Sequence, residues 1–589
     1  MKTQKRLAAG LLALGLVLAG CAGDDDGDEG ASETATEMSS ETEMASETEM
    51  GSETEMASET EMGSETEAAG EADNSFVGVD SCDDYDGKIQ SIEATAPNEV
   101  VFSLCSPDPA FLQKAAFVPF AIQSAEHIAA TDGSPLDDPI GTGPFAMDSW
   151  NRGSELTLVR NDDYWGEAPD FSTLVFRWGT ESAQRITEVQ SGNADYATTL
   201  SAPDYEIVEG DDNLQLLEDP NPNVFYMGFT NTFEPFDNED VRKAIAMGID
   251  RQRVVDTYYP TGSVVPDFFT PCTIENACVG DAWYDFDATA AQQMLADAGY
   301  PDGFETTIYL RDVFRVYLPE PQAVAQELQT QLSENLGITA DIQVMESGAF
   351  IDEVSAGELD GIHLLGWGAD YPHVTNFLDY HFNGNVQFGD PYPDIVDVLL
   401  EGAAEVDPVA AEPIYEEANN LIREHVPMVP IASGAAADVA VVSLENAQSP
   451  PFGAPQFRTM VPESDTLVFV QNAEPISLYC TDESDGESLS ACEQVFEGLY
   501  RYTLDGGVEP ALAEECVADD AGVVWTCTLK EGVTFHDGSE FDSEDVVATW
   551  AAGIDASNPY HTGNTGGFEY YTYLWGELMN APEEEATEG

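Results

Sequence analysis

The sequence predicts a mixed α/β protein of several domains, and three observations carry that reading. The chain has 589 residues, more than one ordinary domain holds, so three or four domains are expected. Its 43% of hydrophobic residues is ample for real cores. From Phe76 onward, segments that alternate like strands are interspersed with segments of helical apolar spacing.

Asn98–Leu104 (NEVVFSL) and Ser172–Trp178 (STLVFRW) alternate as strands. Val241–Val255 has the apolar spacing of a helix. So does Glu320–Gly337, which ends on a glycine suited to a left-handed C-cap. Ile338–Met345 follows as a strand. Thr526–Leu529 closes another strand-like alternation, and Asp537-Gly538 marks a turn. Asp542 or Ser543 is placed to cap a helix that turns apolar through Val546, Val547 and Trp550. That last group reads as the opening of an α/β domain, yet it stands at the end of the chain.

Lys2, Lys5 and Arg6 precede an apolar run, Leu7–Leu18, too short to span a bilayer. Leu-Ala-Gly-Cys (Leu18–Cys21) follows and resembles a bacterial lipobox. Residues 1–21 are therefore expected to be a lipoprotein signal peptide, with lipid on Cys21, or an ordinary export signal. Residues 22–74, which from Ser40 repeat SETEMA/SETEMG with period six, read as a disordered acidic tether. Val426–Val442, the most apolar later stretch, is interrupted by Pro and Asp and reads as buried strands rather than a membrane helix. The expected location is extracytoplasmic, with the membrane reached only through the lipid.

The formal charge is −93, from 112 Asp+Glu against 19 Lys+Arg. Nucleic acid is excluded as a partner, since phosphate neutralisation needs cations. Residues 74–589 alone carry 93 acidic and 16 basic residues. A body that acidic repels itself in dilute buffer, and salt screens the repulsion, with a Debye length of ~3 Å at 1 M. A halophilic acidic surface is the expectation.

Besides Cys21 there are eight cysteines, an even number in an exported chain, which suggests disulfides. Spacing leaves 105 connectivities open; the local set Cys82–Cys105, Cys272–Cys278, Cys480–Cys492 and Cys516–Cys527 is preferred. No CxxC or histidine cluster accompanies them, so neither a metal nor another cofactor is expected. HExxH, GxSxG, GxGxxG and GxxxxGK[ST] are missing from the sequence, which argues against an enzyme.

Seven stretches then resemble one family. They are Pro139–Phe145 (PIGTGPF), Arg160–Gly166 (RNDDYWG), Val189–Tyr196 (VQSGNADY), Phe229–Asp250, Pro450–Gly453 (PPFG), Gly498–Glu514 and Leu529–Gly538 (LKEGVTFHDG). Together they resemble the extracellular solute-binding proteins of family 5, the peptide-, dipeptide- and nickel-type receptors of ABC importers. The resemblance implies a class C periplasmic-binding-protein type II fold: two lobes around a cleft plus a small extra domain. In that family the pieces at Gly498–Trp550 come before the GTGPF segment; here they come last, which implies a circular permutation. The implied layout is extra domain 75–144, lobe I 145–249, lobe II 250–438, lobe I again 439–499, and extra domain 500–589. Cys516–Gly538 is then expected to pack beside Gly87–Cys105.

The resemblance further implies a monomer that captures short peptides by lobe closure and hands them to an ABC permease with its cytoplasmic ATPase. Gly366–Leu378 (GWGADYPHVTNFL) is similar to the segment whose Asp receives the peptide amine. This makes Asp370 the expected amine partner and Trp367 a wall of the pocket. Phe314–Gln326 is similar to the dipeptide branch's Arg-x-Tyr-x-Pro segment. That puts Arg315 and Tyr317 at the peptide carboxylate, with Arg311 as the alternative cation. The same fold binding a nickel chelate, oligosaccharide or opine, or serving as a sensor, stays open on the sequence.

Overall fold

A computed structural model describes residues 74–581 apart from 84, 220 and 221. The expected signal peptide, Cys21 and the tether to residue 73 lie outside the described residues.

Three sheets organise the molecule. The first is antiparallel and runs Phe76–Gly78, Ile89–Ala96, Glu99–Leu104, Val524–Leu529, Ala513–Ala518. Its centre joins the two distant parts of the sequence, with Cys527 opposite Val100. Residues 516–538 thus lie beside residues 87–105. Cys516 pairs directly opposite Cys527 and is bonded to it; the other disulfides are Cys82–Cys105, Cys272–Cys278 and Cys480–Cys492.

The second sheet, of lobe I, is ordered Phe145–Asn151, Glu155–Arg160, Thr173–Trp178, Thr466–Gln471, Tyr196–Ala197, Ala436–Val441, Leu214–Asp219. Thr466–Gln471 runs parallel to both of its neighbours. The third, of lobe II, is ordered Thr339–Met345, Glu305–Arg311, Ile362–Gly368, Asn223–Phe229, Met428–Ala432. Helices Glu239–Gly248, Ala288–Asp297 and Pro321–Leu336 pack on one another beside it. Pro321–Leu336 ends as expected, on Gly337 at φ 69°.

Two details depart from the sequence reading. Residues 145–249 were expected in lobe I, but Asn223–Phe229 pairs with Ile362–Gly368 and Met428–Ala432 of lobe II. Every residue of this strand is buried, so it shows no alternation to assign it to one sheet or another. Ala436–Val441 lies wholly in the lobe I sheet, so the return crossing precedes residue 438. The second departure is at Val241–Val255, which is not one helix. The chain breaks after Gly248, and Asp250 caps a new helix, Arg251–Tyr258, accepting from Arg253 N at 3.1 Å.

The chain therefore passes from the lobe I strand that ends at Asp219 to the lobe II strand that begins at Asn223, and returns between Ala432 and Ala436. Asn223, buried, ties the crossings together: its Nδ2 donates to Gly434 O at 2.7 Å and its Oδ1 accepts from Gly434 N at 2.9 Å. A side chain at Gly434 would collide with the Val316 carbonyl, so this position demands glycine.

One continuous core runs through the first sheet and lobe II, whereas lobe I has cores of its own. The Asp542-capped helix Ser543–Ile554 anchors the first of these. Asp542 Oδ1 accepts from Glu544 N (2.8 Å), and a capping box links Asp542 with Asp545 at N3, Asp542 N donating to Asp545 Oδ2 (2.9 Å). Among the described residues, no helix is long and apolar enough to cross a membrane.

Candidate functional site

The site grows from the end of the Ile362–Gly368 strand. A side chain at Gly366 would strike the Tyr317 ring, so glycine lets that ring lie on the strand. Trp367 stacks on Tyr380, with ring centroids 4.1 Å apart and planes 26° apart. The chain then turns at Asp370 into the short helices Val374–Asn376 and Leu378–Phe382.

Asn376, buried, holds this turn in place. Its Oδ1 accepts from Trp367 Nε1 (3.1 Å) and from Asp370 N (3.1 Å). Its Nδ2 donates to Asp370 Oδ2 at 2.9 Å. The same carboxylate oxygen accepts from Tyr573 OH at 3.1 Å, across 203 positions of sequence. Tyr573 belongs to the helix Glu569–Trp575. That helix is held by Trp575, whose ring centroid lies 5.4 Å from that of fully buried Trp550.

Burial raises the Asp370 carboxyl above its ordinary range, and the bonds from Asn376 and Tyr573 offset only part of the rise. Burial, and then the adjacent Asp370, raises the Tyr573 hydroxyl. Asp370 forms no ion pair among the described residues. It is a desolvated carboxylate held by neutral donors.

Arg311 ends the strand Glu305–Arg311; its Nη1 donates to Ser347 Oγ (3.0 Å) and its Nη2 to Tyr317 OH (3.3 Å). Arg311, Tyr317, Trp367 and Asp370 thus form one connected group through Gly366 and Asn376. Arg315 stands apart from it. Its loop closes on Leu318 by two backbone bonds, and its guanidinium donates to the Phe314 carbonyl at 2.8 Å.

Sequence reasoning missed Asn376, Tyr380 and Tyr573. Asn376 lay inside the quoted GWGADYPHVTNFL segment. Tyr573 carried no local signal, because only the fold brings its helix to Asp370.

A cavity opens on lobe I, where the strands Thr466–Gln471 and Tyr196–Ala197 end. It is lined by Thr198, Thr199, Asn472, Glu487 and Glu493. Burial pushes the Glu493 carboxyl up to about 7, offset in part by Ala454 N at 2.6 Å. Asp370 and Glu493 both act electrostatically on the buried Tyr502.

Comparison with known proteins gives a consistent result. The family model for bacterial extracellular solute-binding proteins, family 5, matches residues 47–389 and 507–584. A di/tripeptide-binding protein of Pseudomonas aeruginosa is 28% identical over 388 residues, covering 63% of this chain and 71% of that protein. Heme-binding protein A of Haemophilus influenzae is 26% identical over 354 residues, covering 58% of this chain and 64% of that protein. The solved structure of HbpA2 from Haemophilus parasuis superposes with a TM-score of 0.60 at 24% identity, covering 64% of this chain and 76% of that one.

Proposed function

The chain belongs to the bacterial extracellular solute-binding proteins of family 5, and from that premise we propose that it captures short peptides by their free amino terminus for an ABC importer. Proteins of this family bind solutes for transport outside the cytoplasm and are not enzymes.

Asp370 is the observation that carries the peptide reading. A carboxylate held by two neutral donors and stripped of water is unfavourable until a cation arrives. The ammonium of a peptide supplies that cation, with Trp367 and Tyr380 as an aromatic wall beside it. Arg311 and Arg315 are the proposed partners of the peptide carboxylate, Arg311 being already oriented by Ser347 and Tyr317. The curated relative that binds di- and tripeptides supports the same class.

Capture by lobe closure has support in the two crossings tied by Asn223 and Gly434. They form a short, paired hinge about which lobes can rotate. Anchorage through Cys21 rests on its lipobox-like setting, and the intact mass of membrane-extracted protein tests it. Circular permutation has support in the pairing of Val524–Leu529 with Glu99–Leu104 and in the two separate blocks of the family match.

Titration calorimetry with Ala-Ala tests the central reading. Asp370→Asn keeps the shape and removes the charge, so affinity should fall by about tenfold to a hundredfold, the value of one charge-assisted contact. Unchanged affinity in this variant would exclude Asp370 as the amine partner.

A further inference from the structure

Lysine is scarce in this acidic chain: there are six in 589 residues, and four lie in the described region. Two of those four, Lys88 and Lys114, line one cavity of about 170 Å³ between the first sheet's domain and lobe II. Both donate to a single carboxylate oxygen, Asp108 Oδ2, at 3.3 and 2.5 Å. Two ammoniums sharing one carboxylate leave a local surplus of positive charge.

Lys114 is fully engaged. It is buried, also donates to Leu574 O at 3.3 Å, and lies 5.2 Å from the Tyr371 ring centroid. Among the described residues the Lys88 ammonium has no other hydrogen-bond partner, and its side chain is 42% exposed. It keeps N–H groups for a ligand.

The facing wall holds Asp379, whose Oδ1 is buried with no hydrogen-bond partner among the described residues. Burial, more than the nearby lysines can offset, pushes its carboxyl up to about 7. Below that pH it is a neutral donor that does not cancel the lysines. Asn376, Tyr380 and Tyr573 line this cavity and also surround Asp370, so the cavity adjoins the amine pocket.

We propose that this cavity is a carboxylate subsite that takes the acidic side chain of a peptide's first residue, with Lys88 as its counter-ion. The assignment rests on the reading of Asp370 as the amine partner. An ammonium bound there places the first side chain, one carbon away, at the shared wall. A basic side chain would meet two ammoniums and no free ionised carboxylate.

The test is calorimetry on the full chain at pH 6.5 with Glu-Ala, Gln-Ala, Lys-Ala and Ala-Ala. Glu-Ala should bind about tenfold tighter than Gln-Ala, the effect of one charge-assisted hydrogen bond. Lys88→Gln should bring Glu-Ala to the Gln-Ala level. Asp379→Asn, which retains a donor, should keep the Glu-Ala preference. Equal binding of Glu-Ala and Gln-Ala by the unaltered protein, or tighter binding of Lys-Ala, overturns the subsite while leaving peptide capture intact. Failure of all four peptides to bind overturns the peptide reading and the subsite with it.

Discussion

Asn376 is the residue on which the amine pocket hangs, and replacing it should cost both stability and affinity. In Asn376→Ala three hydrogen bonds disappear at once, those with Trp367 Nε1, Asp370 N and Asp370 Oδ2. A buried bond contributes about 1 kcal/mol, and one to a charged group about 1.5–3 kcal/mol. The expected loss is therefore about 3–5 kcal/mol, larger than the ordinary surface substitution by several fold. Urea unfolding followed by tryptophan fluorescence reads it. The loss has a structure of its own: Trp367→Phe removes the indole donor together with part of the ring that stacks on Tyr380, and a cycle separates the two. In a double-mutant cycle the two positions should couple by about 1 kcal/mol, the worth of the Trp367–Asn376 bond. Peptide affinity should fall about tenfold as well, because Asp370 loses a donor that favours its charged form. A midpoint within 0.5 kcal/mol of the unaltered protein, by the usual scatter of neutral changes, together with full peptide affinity, would refute the clamp.

Three further outcomes are expected. Asp379, Glu493 and Asp545 are each pushed up to about 7, chiefly by burial. Unfolded carboxyls titrate near 4, so between about pH 4 and 7 the folded state holds protons that the unfolded state has released. These three make stability fall as pH rises, whereas His363, His373 and His381, lowered by burial to about 3, 4 and 3, oppose that fall below about pH 6.5, where unfolded imidazoles take up protons. The fall should therefore show above that point, as a higher urea midpoint at pH 6.5 than at pH 7.5 in molar salt, and the reverse order counts against it. Asp108 opposes this trend only in stronger acid, because Lys114 and Lys88 outweigh its burial and hold it well below the usual carboxylate range. The acidic body should melt higher in 1 M NaCl than in dilute buffer, and a flat salt response would remove the halophilic reading. A chain rejoined so that residues 465–581 precede residue 75 should fold and bind the same peptide; an insoluble product would argue against permutation.

Much of the secondary structure was legible because it is written locally. Gly337 and Asp542 act where a C-cap and an N-cap were expected. The failures come where a local pattern has two outcomes. Val241–Val255 keeps helical spacing through Gly248–Asp250, and bonds made from another helix hold the break there, Gln331 Oε1 accepting from Asp250 N (2.6 Å) and Asn335 Nδ2 donating to Gly248 O (2.8 Å). Asn223–Phe229 is apolar on both faces, which identifies a central strand and not the sheet it enters.

The site divides along the same line. Trp367, Asp370 and Asn376 fall within ten residues, so one motif could point to them. Tyr573, Lys88 and Lys114 reach the same place from segments hundreds of positions away, brought there by the pairing of Val524–Leu529 with Glu99–Leu104. Their residue types carried no signal of a ligand in the sequence, since a lone tyrosine or lysine has many structural uses. What marks them is the company the fold gives them: an uncompensated Asp370 beside Tyr573, and a shared Asp108 that leaves Lys88 with donors to spare. Specificity here resides in the charge left over after the internal pairs are made, a quantity that no local stretch of sequence contains.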